Sequence, residues 1–328
     1  MDVVLELVDT FVADHVYSWL FPRDSYQPNG ASYLSSANLT AGPIDWKYEP
    51  ASGFIQFEPS SAAYMSAFNR DNIYRQFITL FLLTWIFGLI NYILFATISF
   101  FFIYDRSTLQ HPKVVENQVW KEIKHAIEAM PLMALLTACF FLLDVRGYCK
   151  MYEFTADGLG LWYDILQVPL FILFTDFGIY WIHRGLHHPL VYKRFHKPHH
   201  KWIIPTPYAS YAFHPLDGFS QSVPYHLYPL LFPLNKFIFL SMFITVNVWT
   251  VSIHDGEFLA NNPLVNGSAC HAAHHLYFNF SYNYGQFLTI WDRIGGSYRR
   301  PDPEWFNKRQ EPKQRGMKGE KTQDFKLD

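Results

Sequence analysis

Charge and cysteine are what this 328-residue chain has least of: 16% of its residues are Asp, Glu, Lys or Arg, and three are Cys. Soluble domains carry about 25% charged residues, so the chain is poorly matched to a fold wetted on every side. Three cysteines (Cys139, Cys149 and Cys270) exclude a disulfide-stapled scaffold. Cys139 sits inside an apolar run, where packing accounts for it, and Cys270 stands beside a histidine cluster as a small core residue. A net charge of −2 gives no strongly basic field, and no nucleic-acid partner is expected. The first twenty residues mix acids into their apolar residues and lack the basic start of a cleavable signal, so the first long apolar block is expected to act as the insertion signal.

What the chain does have is apolar sequence in blocks, half of its residues being hydrophobic and 19% aromatic. Residues 77–104 are a run of 28 without one charge, and about 20 apolar residues in a helix cross a bilayer core. A mixed-charge segment over 105–128 is expected to lie at the interface or in the cytosol, followed by spans over 129–143 and 161–182, the latter carrying Asp164 and Asp176. A further apolar region over 223–253 contains Pro224, Pro229 and Pro233 and reads as a broken hairpin.

These blocks divide the chain into four parts. Residues 1–70 are expected to form an irregular leader, 71–160 an N-terminal membrane part, 161–300, where the histidines gather, a catalytic part, and 301–328 a basic, disordered tail. The leader carries an Asn38-Leu39-Thr40 sequon, which matters only on the lumenal side. Residues 1–71 hold nine acids and three Lys/Arg, whereas 293–328 hold ten Lys/Arg and six acids. The acid-free set Lys193, Arg194, Lys197 and Lys201 is basic as well. By the positive-inside bias, the tail and residues 193–201 belong to the cytosol and the leader to the other face. The fold class expected is an all-α integral membrane protein of about four spans or hairpins, with a helical cap on the cytosolic face.

Twelve of the fifteen histidines fall between His183 and His275. They form three boxes: His183-Arg-Gly-Leu-His187-His188, His196-Lys-Pro-His199-His200 and His271-Ala-Ala-His274-His275. Residues three and four apart share a helix face, so His183 with His187, and His271 with His274 and His275, can each grip a metal. Pro198 fits a first helical turn, placing His199 and His200 at a helix start with His196 reaching back. Eight or more imidazoles exceed what one four-coordinate zinc takes, and two metals with open positions fit better. A histidine-rich buffering loop would be polar and repetitive, and this region is neither.

The remaining polar groups divide by position. His188 points about 100° away from His187 on a helix and takes a supporting place. His226 reads as structural, while His254, at the end of the last apolar region, can complete the ligand set. His214 and Asp217, in Phe-His-Pro-Leu-Asp-Gly, can act as ligand, support or substrate contact. Asp176 lies seven residues before His183 on nearly the same face, where it can accept a hydrogen bond from a ligand's other ring nitrogen or serve as a polar interhelical contact.

The strings HRGLHH, HKPHH and HAAHH resemble those of the membrane fatty acid hydroxylase and sterol desaturase superfamily. Residues 174–188, 190–200, 205–210, 213–218, 252–256 and 284–296 are similar to the sterol C-5 desaturases, and the acidic, Tyr-rich leader to their fungal form. The resemblance spans roughly residues 70–300. It implies introduction of a 5,6 double bond into a delta-7 sterol such as episterol, on the route to ergosterol. It also implies a non-haem centre of two irons, dioxygen as co-substrate, and NAD(P)H electrons passed through cytochrome b5 and its reductase. The box ligands carry over as His183, His187, His196, His199, His200, His271, His274 and His275, with His254 matching a ligand between the second and third boxes; no catalytic side chain apart from the ligands is implied. Some relatives have another histidine four residues earlier, where this chain has Thr250, a departure that bears on the ligand count. The setting implied is the endoplasmic reticulum membrane, with the site on the cytosolic face and the sterol entering from the bilayer. A sterol C-4 methyl oxidase or another lipid hydroxylase would share the boxes but insert oxygen. An acyl-CoA desaturase has different intervals and flanks, and a metal transporter would spread its ligands along several spans.

Overall fold

The computed structural model describes residues 1–23, 46–256, 263–276 and 282–301; the Asn38 sequon and the basic tail beyond residue 301 lie outside the described residues. The described part is helical: α1 (Asp2–Val8), α2 (Asp14–Leu20), α3 (Ala62–Met65), α4 (Ile73–Phe102), α5 (Gln118–Val145), α6 (Leu161–Leu186), α7 (Pro189–Phe195), α8 (Lys197–His200), α9 (Pro215–Leu231), α10 (Lys236–Ser252), α11 (Ser268–Leu276) and α12 (Ile290–Ile294). α4, α5 and α6 are long and apolar enough to cross a membrane, and α10 is a shorter apolar helix. Much of their apolar surface points outward, as at Ile86, Ile90, Phe102, Trp162 and Trp181, which suits lipid contact and would be an aggregation hazard in water.

Local chemistry sets the helix starts. Asn72 caps α4 by accepting from the amides of Tyr74 and Arg75 at 3.0 and 3.1 Å, and Asn235 caps α10 by accepting from Phe237 at 3.0 Å. The second span begins earlier than the apolar run at 129 predicts. Residues 118–128 are the first turns of α5, and the rest of the mixed-charge segment is a short 3-10 turn and loop. Glu122 is tolerated there because it is buried against partners: it accepts from Thr206 Oγ1, and from Gln118 Nε2 at 2.7 Å. The hairpin breaks once, between Leu231 and Lys236 around Pro233, where Leu234–Asn235 pairs in parallel with Met151–Tyr152. Pro224 and Pro229 lie inside α9 rather than ending it, since neighbouring helices support a proline-bearing membrane helix. Cys139, expected in the packing, is exposed on the outer face of α5.

The described residues of the leader, 1–23 and 46–70, are more regular than their weak periodicity predicts. α1 and α2 are joined by a π-turn over Asp9–Ala13, and acidic side chains from this stretch are buried against arginines. Asp14 meets Arg70 at 2.5 Å and Arg75 at 2.6 Å, and Asp9 meets Arg75 at 2.6 Å. Neutralisation by buried partners explains how acids can enter the packing. The leader's acidity is therefore partly a packing device tying it to the start of α4.

One core cluster joins Leu80 of α4, Ala138 and Phe141 of α5, Phe171 and Ile179 of α6, Tyr225 and Tyr228 of α9, and Phe239 of α10. α6 packs closely on α9 at Gly178, where an added Cβ would lie 2.6 Å from Pro224 Cγ. Gly178→Ala is expected to cost about 1–3 kcal/mol by overpacking, lowering the thermal midpoint in detergent. Gly88→Ala, with no atom within 4 Å of the added methyl, is expected to raise it slightly, since alanine is favoured over glycine inside a helix by about 0.5–1 kcal/mol. Equal midpoints for the two variants would contradict this packing.

Candidate metal centre

The three histidine boxes, from the end of α6, the α7–α8 segment and α11, reach one place together with His254 from the turn after α10. Nine imidazoles gather in two groups, His183, His187, His196, His200 and His274 in one, and His199, His254, His271 and His275 in the other. Within each group the candidate ligand atoms lie within 4.8 Å of one another. The boxes do not map one to a group. His196 and His200 join the first while His199 joins the second, and the third box sends His274 to the first and His271 and His275 to the second. Adjacent helical residues diverge by about 100°, so the His199-His200 and His274-His275 pairs each serve both groups.

Four of the nine rings have a fixed partner for the ring nitrogen away from the cluster. His183 Nδ1 donates to Tyr284 O at 2.9 Å, His274 Nδ1 to Tyr282 O at 2.7 Å, His254 Nδ1 to Thr250 O at 2.7 Å, and His196 Nδ1 to a carboxylate oxygen of Asp217 at 2.7 Å. With Nδ1 protonated, the Nε2 of a neutral ring presents a lone pair. Yet the Nε2 atoms of His183 and His196, both rings whose Nδ1 is committed as a donor, are 3.1 Å apart. Two lone pairs at that distance repel, and no proton lies between them to make a hydrogen bond; a cation satisfies both. Burial, and then neighbouring imidazoles, hold His199, His200, His271, His274 and His275 well below the usual histidine range, and burial brings His254 to about 4. Those rings are neutral at physiological pH, which is the ligating form.

The spacings also speak to coordination. A metal–imidazole bond of about 2.1 Å gives nitrogens about 3.0 Å apart at a right angle and about 3.4 Å apart in a tetrahedron. Six Nε2–Nε2 separations in the two groups run from 2.9 to 3.2 Å. The five donors of the first group are also one more than a tetrahedral site takes. Cys270, buried beside the third box, belongs to neither group.

Three supporting positions come out differently from the sequence-based expectation. Asp217 does hold a ring nitrogen, that of His196, and its other oxygen accepts from Gln221 Nε2 at 2.7 Å. Asp176 does not touch a ring. Its carboxylate accepts from the backbone amides of Gln286, Phe287 and Leu288 at 2.9, 2.7 and 3.1 Å, fixing the loop whose Tyr284 carbonyl meets His183. Asp292 grips the same loop through the amides of Tyr284 and Gly285, both at 2.8 Å. His188 and His214 are helix caps: each precedes a proline and accepts from the amide two residues on, Leu190 at 3.4 Å and Leu216 at 3.2 Å. His226 stacks on Phe140, as a structural residue would, yet it also lines the cavity below.

A cavity of about 340 Å³ leads away from the histidines between α4, α5, α9 and α10, within the range of small-molecule sites. Its far wall includes Leu83, Phe87, Phe141, Leu240 and Phe243, and His183, His196, His199, His254 and His271 form part of its near wall. Both histidine groups therefore border one apolar space.

Residues 168–297 match the family model described as fatty acid hydroxylase. A probable Delta(7)-sterol 5(6)-desaturase of Neurospora crassa is 57% identical, over 94% of this chain and 88% of that protein. A Delta(7)-sterol 5(6)-desaturase of Gibberella zeae is 55% identical over the same shares, and one of Candida albicans is 45% identical over 94% of this chain and 90% of its own. No solved structure matches the chain. With paired histidine groups at the head of an apolar cavity and this identity over almost its whole length, the chain belongs to the Delta(7)-sterol 5(6)-desaturases.

Proposed function

We propose that this chain introduces the C-5(6) double bond into a delta-7 sterol on the route to ergosterol, using two irons held by the nine histidines. The observation carrying the reading is the shared cavity, which brings an apolar substrate to both histidine groups at once. Of the two ring carbons that lose hydrogen, C6 is allylic to the 7,8 double bond and C5 is an ordinary saturated carbon, so removing both hydrogens takes a strong oxidant that no side chain supplies; two irons held by the histidines would, with dioxygen, supply it. The balance is simple: the sterol gives up two hydrogens, and dioxygen takes these with two electrons and two protons to leave two waters.

The chain's own residues bind, orient and exclude water. The apolar wall formed by Phe141, Phe243 and their neighbours takes the sterol body from the bilayer and keeps bulk water from the reacting carbons. Tyr284 O, Tyr282 O, Thr250 O and Asp217 fix the ligand rings in one tautomer and orientation. No other catalytic side chain is required. Exposed Lys193, Arg194, Lys197 and Lys201, on and beside the helices of the second box, offer a docking field to an acidic electron carrier of the cytochrome b5 kind, itself reduced by NAD(P)H through a reductase. The site then faces the cytosol from the endoplasmic reticulum membrane, with the leader on the lumenal side.

The test is sterol analysis by mass spectrometry in a yeast lacking its own C-5 desaturase. Expression of this chain is expected to yield 5,7-diene sterols, lighter than their precursors by two hydrogens. Oxygenated sterols would move the reading to a C-4 methyl oxidase or another hydroxylase on the same scaffold. An unchanged sterol profile, with the protein present in the membrane, would refute the sterol assignment.

A further inference from the structure

We infer that Gln286, held in place by Thr250, is the group that binds the sterol's 3β-hydroxyl and so sets which ring carbons face the histidines. The inference rests on the sterol reading above. A delta-7 sterol has one polar group, on C3, and C3 is separated from C5 by a single carbon. When C5 and C6 stand at the histidines the hydroxyl must stand beside them too, while the aliphatic tail runs to the apolar end of the cavity. Its partner has to be a polar side chain on the cavity wall next to the ligands but not needed to hold one.

Three side-chain amides line the cavity: Asn247, Gln221 and Gln286. Asn247 is occupied at both ends, accepting from the Tyr211 hydroxyl and donating to Phe243 O at 2.6 Å. Gln221 donates to Asp217 and so belongs to the support of His196. Gln286 donates from Nε2 to Thr250 Oγ1 at 3.3 Å, and no described residue donates to its Oε1. Thr250 Oγ1 in turn donates to Val246 O at 2.9 Å. Gln286 therefore keeps an acceptor for an incoming hydroxyl.

Its place is equally specific. Gln286 follows Tyr284, whose carbonyl holds His183 of the five-histidine group, by two residues. Thr250 precedes His254 of the four-histidine group by one helical turn, and its carbonyl receives His254 Nδ1. The pair thus spans the two groups on the cavity side. The Gln286 backbone is fixed at both ends, its N–H donating to Asp176 at 2.9 Å and its carbonyl accepting from Trp249 Nε1 at 2.7 Å. A backbone pinned in this way presents the amide with little reorganisation on binding. A sterol without the hydroxyl would cover Oε1 and leave it unsatisfied, the kind of mismatch that separates ligands strongly.

The experiment measures binding of a radiolabelled delta-7 sterol and of its 3-deoxy counterpart to the full-length chain in nanodiscs, alongside metal content and thermal midpoint. The wild-type chain is expected to prefer the hydroxylated sterol by about tenfold. Gln286→Met, close in size, is expected to remove that preference by weakening the hydroxylated sterol alone, with metal content unchanged. Thr250→Val, which leaves Gln286 present but unheld, is expected to reduce the preference partly. The inference is overturned if Gln286→Met weakens both sterols equally, if it leaves the preference intact, or if the wild-type chain shows no preference. Failure of both sterols to bind the wild-type chain would overturn the sterol reading, and this inference with it. Should Gln286→Met fail to fold, an unchanged preference in Thr250→Val decides against the pair.

Discussion

His274→Ala abolishes desaturation and lowers the metal content of the purified chain from about two ions to about one: this is the result expected if the five-histidine group is a metal site. His274 is almost fully buried, its Nδ1 is spent on Tyr282 O, and its Nε2 lies 3.2 Å from that of His187. Alanine removes a donor that no nearby residue replaces, and the empty volume opens onto four other imidazoles. Loss of an outer partner of a metal ligand costs about 10–100-fold, so loss of the ligand itself should exceed about 100-fold in turnover. His188→Ala and His214→Ala are the controls, since they belong to the same histidine-rich region but cap helices. Each should cost about 1 kcal/mol of stability and leave metal content alone. Sterol profiles from the complemented yeast and elemental analysis of the protein check both statements. Full activity in His274→Ala, or metal loss in His188→Ala equal to that in His274→Ala, would sink the assignment.

The contrast between those histidines shows what could be read in the sequence. Long apolar runs, uncharged in the first span and interrupted only by Asp164 and Asp176 in the third, located both within a few residues, because a bilayer core admits few charges and an α-helix has a fixed rise. The second was read short because Lys121, Glu122, Lys124 and Glu128 interrupt its apolar count; only the fold reveals that Glu122 is paired with Thr206, some eighty residues away. Box spacing identified which rings can converge, yet not how they divide. The 100° step between neighbours that set His188 apart from His187 applies equally to His199 with His200 and His274 with His275, and it is what sends each pair to different groups. His188-Pro189 and His214-Pro215 carried a legible signal, a polar residue before proline at a helix start, that the density of histidines obscured. Tyr282 O, Tyr284 O and Thr250 O left no such signal, because any residue brings a carbonyl and only tertiary structure aims it.

If the nine histidines hold two irons, Asp217 is where a group of the site can be removed without removing a ligand, and its substitution separates holding a metal from orienting what holds it. The carboxylate and the His196 ring are both fully buried, with Nδ1 and a carboxylate oxygen 2.7 Å apart. Asp217→Ala leaves His196 Nδ1 without an acceptor in a site closed to water, so the ring loses both its preferred tautomer and its orientation. Metal affinity is expected to fall about 10–100-fold, read as faster loss of iron to a chelator, with turnover falling in proportion. Excess iron should restore much of the activity of Asp217→Ala and none of that of His274→Ala, since every ligand is present in the first and one is missing in the second. Asp217→Asn should fall between wild type and alanine, because a carboxamide oxygen still accepts from Nδ1 but without the charge that strengthens the bond. Asp217 also sits in the first turn of α9, where losing an acid costs about 0.3–1 kcal/mol of stability; that effect lowers the thermal midpoint and does not respond to iron. Rescue by iron therefore marks the orienting role, and a loss of activity that iron cannot reverse, in a folded protein, would show that Asp217 serves the reaction in some way other than through His196.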